Sequence, residues 1–240
     1  MPRIMTPLID RTEVAEGTVA FALERPAGFD FKAGQYVVMV LPNPPHTDAE
    51  GNRRVFSIAS PPQDTKRLVI TTRMTGTAFK RSLAEVPLGT PVDLSGPAGT
   101  FGLSADASLP VVFIAGGIGI TPFRSIVHDA ASRHLPHRIT LIYSNRTPAG
   151  AAFHDELVRL AQTTPNLTYV PTMTQVEAGQ PWDAERRKVS ADFLRSYIPE
   201  ISTAMFYLAG PPGLVAGVTK ALSDAGADPA RVHCEEFAGY

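Results

Sequence analysis

The feature that most constrains this chain is one continuous stretch near its middle. Val111-Val112-Phe113-Ile114-Ala115 is apolar throughout, and it runs directly into Gly116-Gly117-Ile118-Gly119-Ile120-Thr121-Pro122. An unbroken apolar run suits a strand buried on both faces of a parallel sheet. The glycines let the backbone turn sharply and approach a bulky ligand closely. Thr121 is placed to cap a helix, and Pro122 suits a first helical position. The expected unit is therefore strand, tight turn and helix. Its free amides and helix dipole favour an anion such as a pyrophosphate. The pattern departs from the common G-x-G-x-x-G, because in a frame starting at Gly117 the last glycine is Pro122. A plain strand–helix turn would leave the same trace. A second turn, Ala209-Gly210-Pro211-Pro212-Gly213, follows the apolar segment 204–208 and shifts the balance toward a nucleotide. In a parallel sheet both turns open on the carboxyl edge, where ligands bind.

The rest of the second half keeps this rhythm. Strand-like segments at 139–143, 167–170, 204–208 and 231–233 alternate with helical ones at 122–133, 151–162, 191–198 and 214–225. Alternation of this kind implies a parallel sheet covered on both faces. The first half reads differently. Segments 18–23, 36–40, 55–58 and 68–72 are short, rich in β-branched and aromatic residues, and bounded by Gly and Pro. They suggest a closed antiparallel barrel, interrupted by one helix-like stretch at 77–86. The rhythm changes near Ser104–Ser108, so the expected domains are 1–105 and 106–240.

Composition removes several classes of function. The longest apolar run, 111–120, is broken by three glycines and is too short to cross a membrane. The first twenty residues show no secretory signal pattern. One cysteine, Cys234, excludes an internal disulfide, a thiolate zinc site or a four-Cys iron–sulfur cluster. It points to a reducing, cytoplasmic compartment, and Cys234 itself is expected to be a small buried residue. His134 and His137 flank Pro136 with no ligand cluster nearby, so no metal site is expected. With 22 basic and 23 acidic side chains there is no basic excess of the kind nucleic-acid binding requires.

Charge is nevertheless uneven. Arg53, Arg54, Lys66, Arg67, Arg73, Lys80 and Arg81 fall within 29 residues, opposed there only by Asp64. Such a run is usually a solvated face. Here it brackets Gly76-Thr77-Ala78-Phe79, a glycine opening a helix, which makes a second phosphate-friendly place. Two such places in two domains imply two nucleotide-like ligands meeting between them.

Taken in order, these segments resemble the ferredoxin–NADP reductase superfamily of flavoproteins. Arg54-Val55-Phe56-Ser57 looks like its R-x-Y/F-S flavin motif, and Gly76-Thr77-Ala78-Phe79 occupies the place of its flavin-pyrophosphate turn. Gly96-Pro97-Ala98-Gly99 is similar to its G-P-x-G loop. The 117–122 turn looks like its nicotinamide-nucleotide loop, Gly210-Pro211-Pro212 its late C-G-P segment, and Glu235-Glu236-Phe237 its closing E-x-aromatic. The family's cysteine before Gly-Pro is Ala209 here.

The resemblance implies a two-domain protein, with a six-stranded antiparallel flavin barrel followed by a five-stranded parallel α/β nucleotide domain. It implies bound FAD rather than FMN, with NAD(P)H as substrate. Arg54 is then expected at the flavin phosphates, Val55 and Phe56 along the flavin, and Ser57 near the N5 atom that receives hydride. Ile70, Thr71 and Thr72 would give backbone contacts to the flavin, and Gly76, Thr77, Ala78 and Phe79 would hold the pyrophosphate. Phe237 would cover the ring and Glu235 would serve proton or electron transfer, so Ser57, Glu235 and Phe237 are the catalytic candidates. Tyr240, beyond Phe237, would stack on the FAD adenine. Gly117, Gly119, Thr121, Pro122, Gly210 and Pro211 would hold the nicotinamide nucleotide. At Thr174-Gln175 the family's NADPH-binding Ser/Thr-Arg pair lacks its arginine, although Arg186 or Arg187 could substitute, so NADH is slightly favoured.

The activity implied is transfer of electrons from NAD(P)H through FAD to a separate acceptor, such as an acidic ferredoxin or flavodoxin. The alternatives are a reductase of free flavin and a non-catalytic redox-sensing subunit.

Overall fold

In a computed structural model the described residues are 3–177 and 179–237. The first half builds six antiparallel strands: β1 (Arg3–Ala15), β2 (Thr18–Glu24), β3 (Tyr36–Val40), β4 (Arg53–Ser57), β5 (Arg67–Arg73) and β6 (Pro91–Ala98). Their spatial order is β4-β3-β6-β1-β2-β5. Alternation sends Phe21 and Leu23 of β2, and Leu68 and Ile70 of β5, into one fully buried core, where Phe21 lies opposite Ile70 and Leu23 opposite Leu68. The two outer strands approach one another where the Ala59 amide donates to the Val69 carbonyl at 2.7 Å, which curls the sheet toward a barrel. One helix, α1 (Ala78–Glu85), packs Phe79 and Leu83 into this core.

Two of these strands, β1 and β6, are weakly marked in the sequence. Each carries proline, and their shared ladder ends where Pro7 faces Pro91. Neither residue has an N–H to donate, and the two segments stay joined just beyond, where the Leu8 amide donates to the Thr90 carbonyl at 3.0 Å.

The second half forms five parallel strands with helices on both faces. In chain order these are β7 (Val111–Gly116), α2 (Ile120–Ser132), β8 (Ile139–Asn145), α3 (His154–Thr163), β9 (Leu167–Met173), α4 (Ala191–Tyr197), β10 (Met205–Gly210), α5 (Pro212–Ala225) and β11 (Val232–Glu236). The sheet order is β11-β10-β7-β8-β9. Central β7 is buried along its whole length. Its Phe113 and Ala115 pack with residues of α2 and α3, while Val112 and Ile114 pack with those of α4 and α5. That two-sided burial is why its sequence is uninterrupted hydrocarbon.

The halves meet along α2. Ser125 Oγ donates to the Ser60 carbonyl at 2.7 Å, and Arg124 donates to the Ala59 carbonyl at 2.7 Å. Phe101, from the connection, packs edge-on to Tyr207 at 5.3 Å. No helix among the described residues is long and apolar enough to cross a membrane.

Two local expectations are corrected. Thr121 does not cap α2: the helix starts at Ile120 with Gly119 in the capping place, and the Thr121 hydroxyl donates to the Ile118 carbonyl at 3.1 Å. Residues 117–119 already form a helical turn, so winding begins before the threonine. Cys234 is exposed, because β11 is an edge strand and turns that side chain outward.

Candidate functional site

A groove of about 600 Å³ lies where the two halves meet. Its first wall comes from β4 (Arg54, Val55, Phe56, Ser57), from Tyr36 and from Thr71 of β5. Thr77 and Lys80, at the start of α1, form one end. The second half contributes Thr121 from α2, and Glu235, Glu236 and Phe237 from the end of β11. Register explains the choice on β5: Ile70 points into the barrel core, so its neighbour Thr71 points the other way.

The groove is chemically unfinished. The Thr71 hydroxyl, in a residue 3% exposed, has no partner among the described residues, and neither does the buried Thr77 hydroxyl. Buried polar atoms are normally satisfied, so two orphans on one groove mark a place for a polar ligand. Lys80 is 6% exposed and donates to Thr75 Oγ1 at 3.1 Å. Burial, reinforced by Arg54, pushes its ammonium down to about 8. A phosphate beside it would reverse that cost. At the other end, burial pushes the Glu235 carboxyl up to about 6, within reach of a proton near neutrality.

The glycine turns lie beside this groove. A Cβ on Gly119 would sit 2.1 Å from the Ala209 carbonyl oxygen, and one on Gly210 would sit 3.0 Å from that of Gly116. These two glycines let the β7 and β10 turns pack against each other. Gly117 is the open one, with φ +51° and nothing near its missing Cβ. The Phe237 amide donates to the Gly210 carbonyl at 2.9 Å, tying the end of β11 to the same turns.

Residues 113–220 match the family model described as an oxidoreductase NAD-binding domain. The chain is 28% identical over 239 residues to terephthalate 1,2-dioxygenase reductase component 1 of a Comamonas species, covering 98% of this chain and 68% of that one. Among solved structures, an Amycolatopsis cytochrome P450 reductase superposes with a TM-score of 0.82 at 27% identity, over 98% of this chain and 70% of the other. A Neisseria gonorrhoeae ferredoxin NADP+ reductase, with FAD and NADP bound, shares the fold with a TM-score of 0.78 at 20% identity, over 98% of this chain and 99% of its own. Together these likenesses support the ferredoxin–NADP reductase-like superfamily for this chain.

Against this superfamily's motifs, the expected residues divide. Arg54, Val55, Phe56, Ser57, Thr71, Thr77, Thr121, Glu235 and Phe237 all line the groove. The side chains of Ile70 and Thr72 are fully buried, with Ile70 in the barrel core, which leaves only their backbone for the contacts expected of them. Phe79 is 1% exposed and packs 5.9 Å from Phe56, so its side chain belongs to the core while its segment supplies the turn. Gly76 gives that turn its positive φ of +77°. Pro122 is buried inside α2, and Pro211 stands in the capping place of α5. Tyr240 lies outside the described residues.

The phosphate-binding alternatives on the nucleotide side are engaged elsewhere. Thr174 donates its amide to the Asn145 carbonyl at 2.9 Å and its hydroxyl to the same oxygen at 3.3 Å. Arg186 donates to the Trp182 carbonyl at 3.0 Å. Arg187 forks onto Glu185 at 2.8 and 2.5 Å. That fork, together with the Tyr197 hydroxyl, holds the Glu185 carboxyl down at about 2.

The seven-residue basic run also divides. Only Arg54 and Lys80 face the groove, while Arg67 pairs with Asp64 at 3.2 Å. Asp48 and Glu50 were not anticipated as partners of this run. Glu50 meets Arg54 at 2.7 Å, and an Asp48 oxygen lies 3.9 Å from it. Both acids fall just upstream of the basic window, and their place before the R-x-F-S motif was the available signal.

Proposed function

We propose that this chain is an NAD(P)H oxidoreductase that holds FAD in the groove and passes electrons from a nicotinamide nucleotide to a separate protein. The observation that carries the reading is the groove's donor set. A buried ammonium, an arginine and two orphan hydroxyls line one groove together with Ser57, Glu235 and Phe237. Bound flavin supplies the step from two-electron hydride chemistry to one-electron delivery. Arg54, the Ala78 amide and Lys80 would hold its phosphates, with Thr71 and Thr77 along its length. Ser57 offers the reacting ring a hydrogen bond without burying a charge. Phe237 excludes water and yields its place to nicotinamide. Glu235 holds or releases a proton at its carboxyl.

Relatives named as dioxygenase reductase components favour a protein acceptor. Arg53 and Arg81 remain exposed beside the groove, which suits an acidic ferredoxin or flavodoxin. The neutralised Arg187 and the missing arginine at Gln175 favour NADH over NADPH. The single thiol fits a reducing, cytoplasmic setting.

The experiment is reconstitution with FAD, gel filtration, and anaerobic addition of NADH. Co-eluting yellow colour that bleaches with NADH, followed by turnover with ferricyanide, is the expected result. A protein that binds flavin only transiently yet still oxidises NADH would be a free-flavin reductase. Flavin and nucleotide binding without turnover would make it a regulatory subunit.

A further inference from the structure

We propose that the loop joining β3 to β4 is a competing strap, in which Asp48 and Glu50 occupy the flavin's phosphate positions and set how tightly flavin is held. The proposal rests on the flavin reading above. Two of the phosphate donors assigned above are the first amide of α1 and the Arg54 guanidinium. Each is already bound, and both are bound by the same short loop. Ala78 N donates to Asp48 Oδ2 at 3.1 Å. Arg54 pairs with Glu50 Oε2 at 2.7 Å and donates to the Glu50 and Gly51 carbonyls, each at 3.1 Å.

A carboxylate and a phosphate are recognised by the same chemistry, an anion accepting from a helix N-terminus and a guanidinium fork. Ligand and strap therefore exclude each other at these donors. A second feature of the groove, besides the helix terminus, calls for a polar ligand. The Thr71 hydroxyl, almost wholly buried on the same groove, has no partner among the described residues even with the strap in place. The strap thus satisfies the guanidinium and the helix amide and leaves the two hydroxyls waiting.

The loop is fastened along α1 rather than resting at one point. The His46 amide donates to Ser82 Oγ at 3.0 Å, Ser82 Oγ donates to the His46 carbonyl at 3.1 Å, and the His46 ring meets Glu85 at 2.7 Å. Pro42, Pro44 and Pro45 stiffen the limb leading to it. Release of Asp48 and Glu50 can accordingly be a local movement of residues 48–51, with the His46 clip still closed.

The test is titration of the full-length apoprotein with FAD and with FMN, read by flavin fluorescence, for wild type, Glu50→Gln and Asp48→Asn. Both substitutions keep shape and remove charge. Glu50→Gln is expected to tighten both flavins by about tenfold, the scale of one charged hydrogen bond removed from competition. Asp48→Asn should act in the same direction but less, because an Asn oxygen still accepts from Ala78 N. The gain should survive at about 0.5 M salt, since a contact pair is screened far less than a distant field. In stopped flow, wild-type association should reach a ceiling with flavin concentration, and Glu50→Gln should raise it.

Weaker or unchanged flavin binding by both variants would overturn the strap and make the carboxylates orienting groups for Arg54. A gain that vanishes in salt would also overturn it, leaving only a general field effect. If wild type and both variants bind neither flavin, the flavin reading falls and the strap falls with it.

Discussion

The two anion-friendly regions of this protein are made from different materials. At α1 the recognising groups are mostly side chains: Arg54, Lys80, and the hydroxyls of Thr71 and Thr77. At the β7 and β10 turns they are backbone, and the critical property is an absent Cβ. Side-chain sites can be neutralised from within the chain, as Glu50 does to Arg54. Backbone sites cannot be neutralised so easily, but they tolerate almost no substitution. The first region should therefore respond to mutation in binding, and the second in folding.

The largest expected effect tests the second half of that contrast. Gly119→Ala places a methyl 2.1 Å from the Ala209 oxygen, so the two turns must separate. Overpacking against backbone should cost about 3 kcal/mol or more. Gly117→Ala meets nothing and carries only the left-handed penalty, about 1 kcal/mol. Urea unfolding midpoints rank the pair. Equal costs would show that the turns do not interlock.

Next is Arg54→Ala, which should leave the unfolding midpoint nearly unchanged. Loss of one charged hydrogen bond should weaken FAD by about 1.5–3 kcal/mol, read by flavin content after dialysis. Full retention of flavin would remove Arg54 from the cradle and leave Lys80 as its principal cation.

The same contrast explains what could be read from sequence. The β7 turn was legible because burial on both faces leaves a continuous apolar run, and a close backbone crossing leaves glycines. What the glycines were for was not legible: Gly119 serves Ala209, ninety residues away in the chain. On the side-chain region several motif residues come together on one groove, but their members were not separable in sequence. Ile70, Thr71 and Thr72 look alike until pairing with β2 decides which face each takes. Phe79 was grouped with its turn, although a backbone motif leaves its side chains free to join the core. Asp48 and Glu50 escaped because a charge window ends where it is drawn, whereas loops fold back across it.

A smaller effect concerns nucleotide choice. Arg187→Ala should change the NADPH/NADH ratio of kcat/KM by less than about fivefold, because the guanidinium is exposed and already paired with Glu185. Steady-state kinetics with both nucleotides check this. A collapse of NADPH use would show that Arg187 leaves Glu185 for the 2′-phosphate, making this another side-chain site under internal competition.

The smallest effect is a pH dependence at Glu235, which stands where the two regions join. Burial raises its carboxyl from an ordinary 4.5 to about 6. The folded protein therefore holds this proton more tightly than the unfolded chain. The favourable contribution is complete below pH 4.5 and is lost as pH rises through 6. Glu235→Gln removes the titration, so the variant should gain on wild type between pH 5 and pH 7.5. The group is partly solvated, which screens the gain to about 1 kcal/mol or less. Urea midpoints at the two pH values measure it. The rate of reduction by NADH should show a wild-type step near pH 6 that the glutamine variant lacks. A stability gain without any change in that pH profile would make Glu235 a buried carboxyl that merely burdens the fold. Loss of the step would place it in the path of a proton.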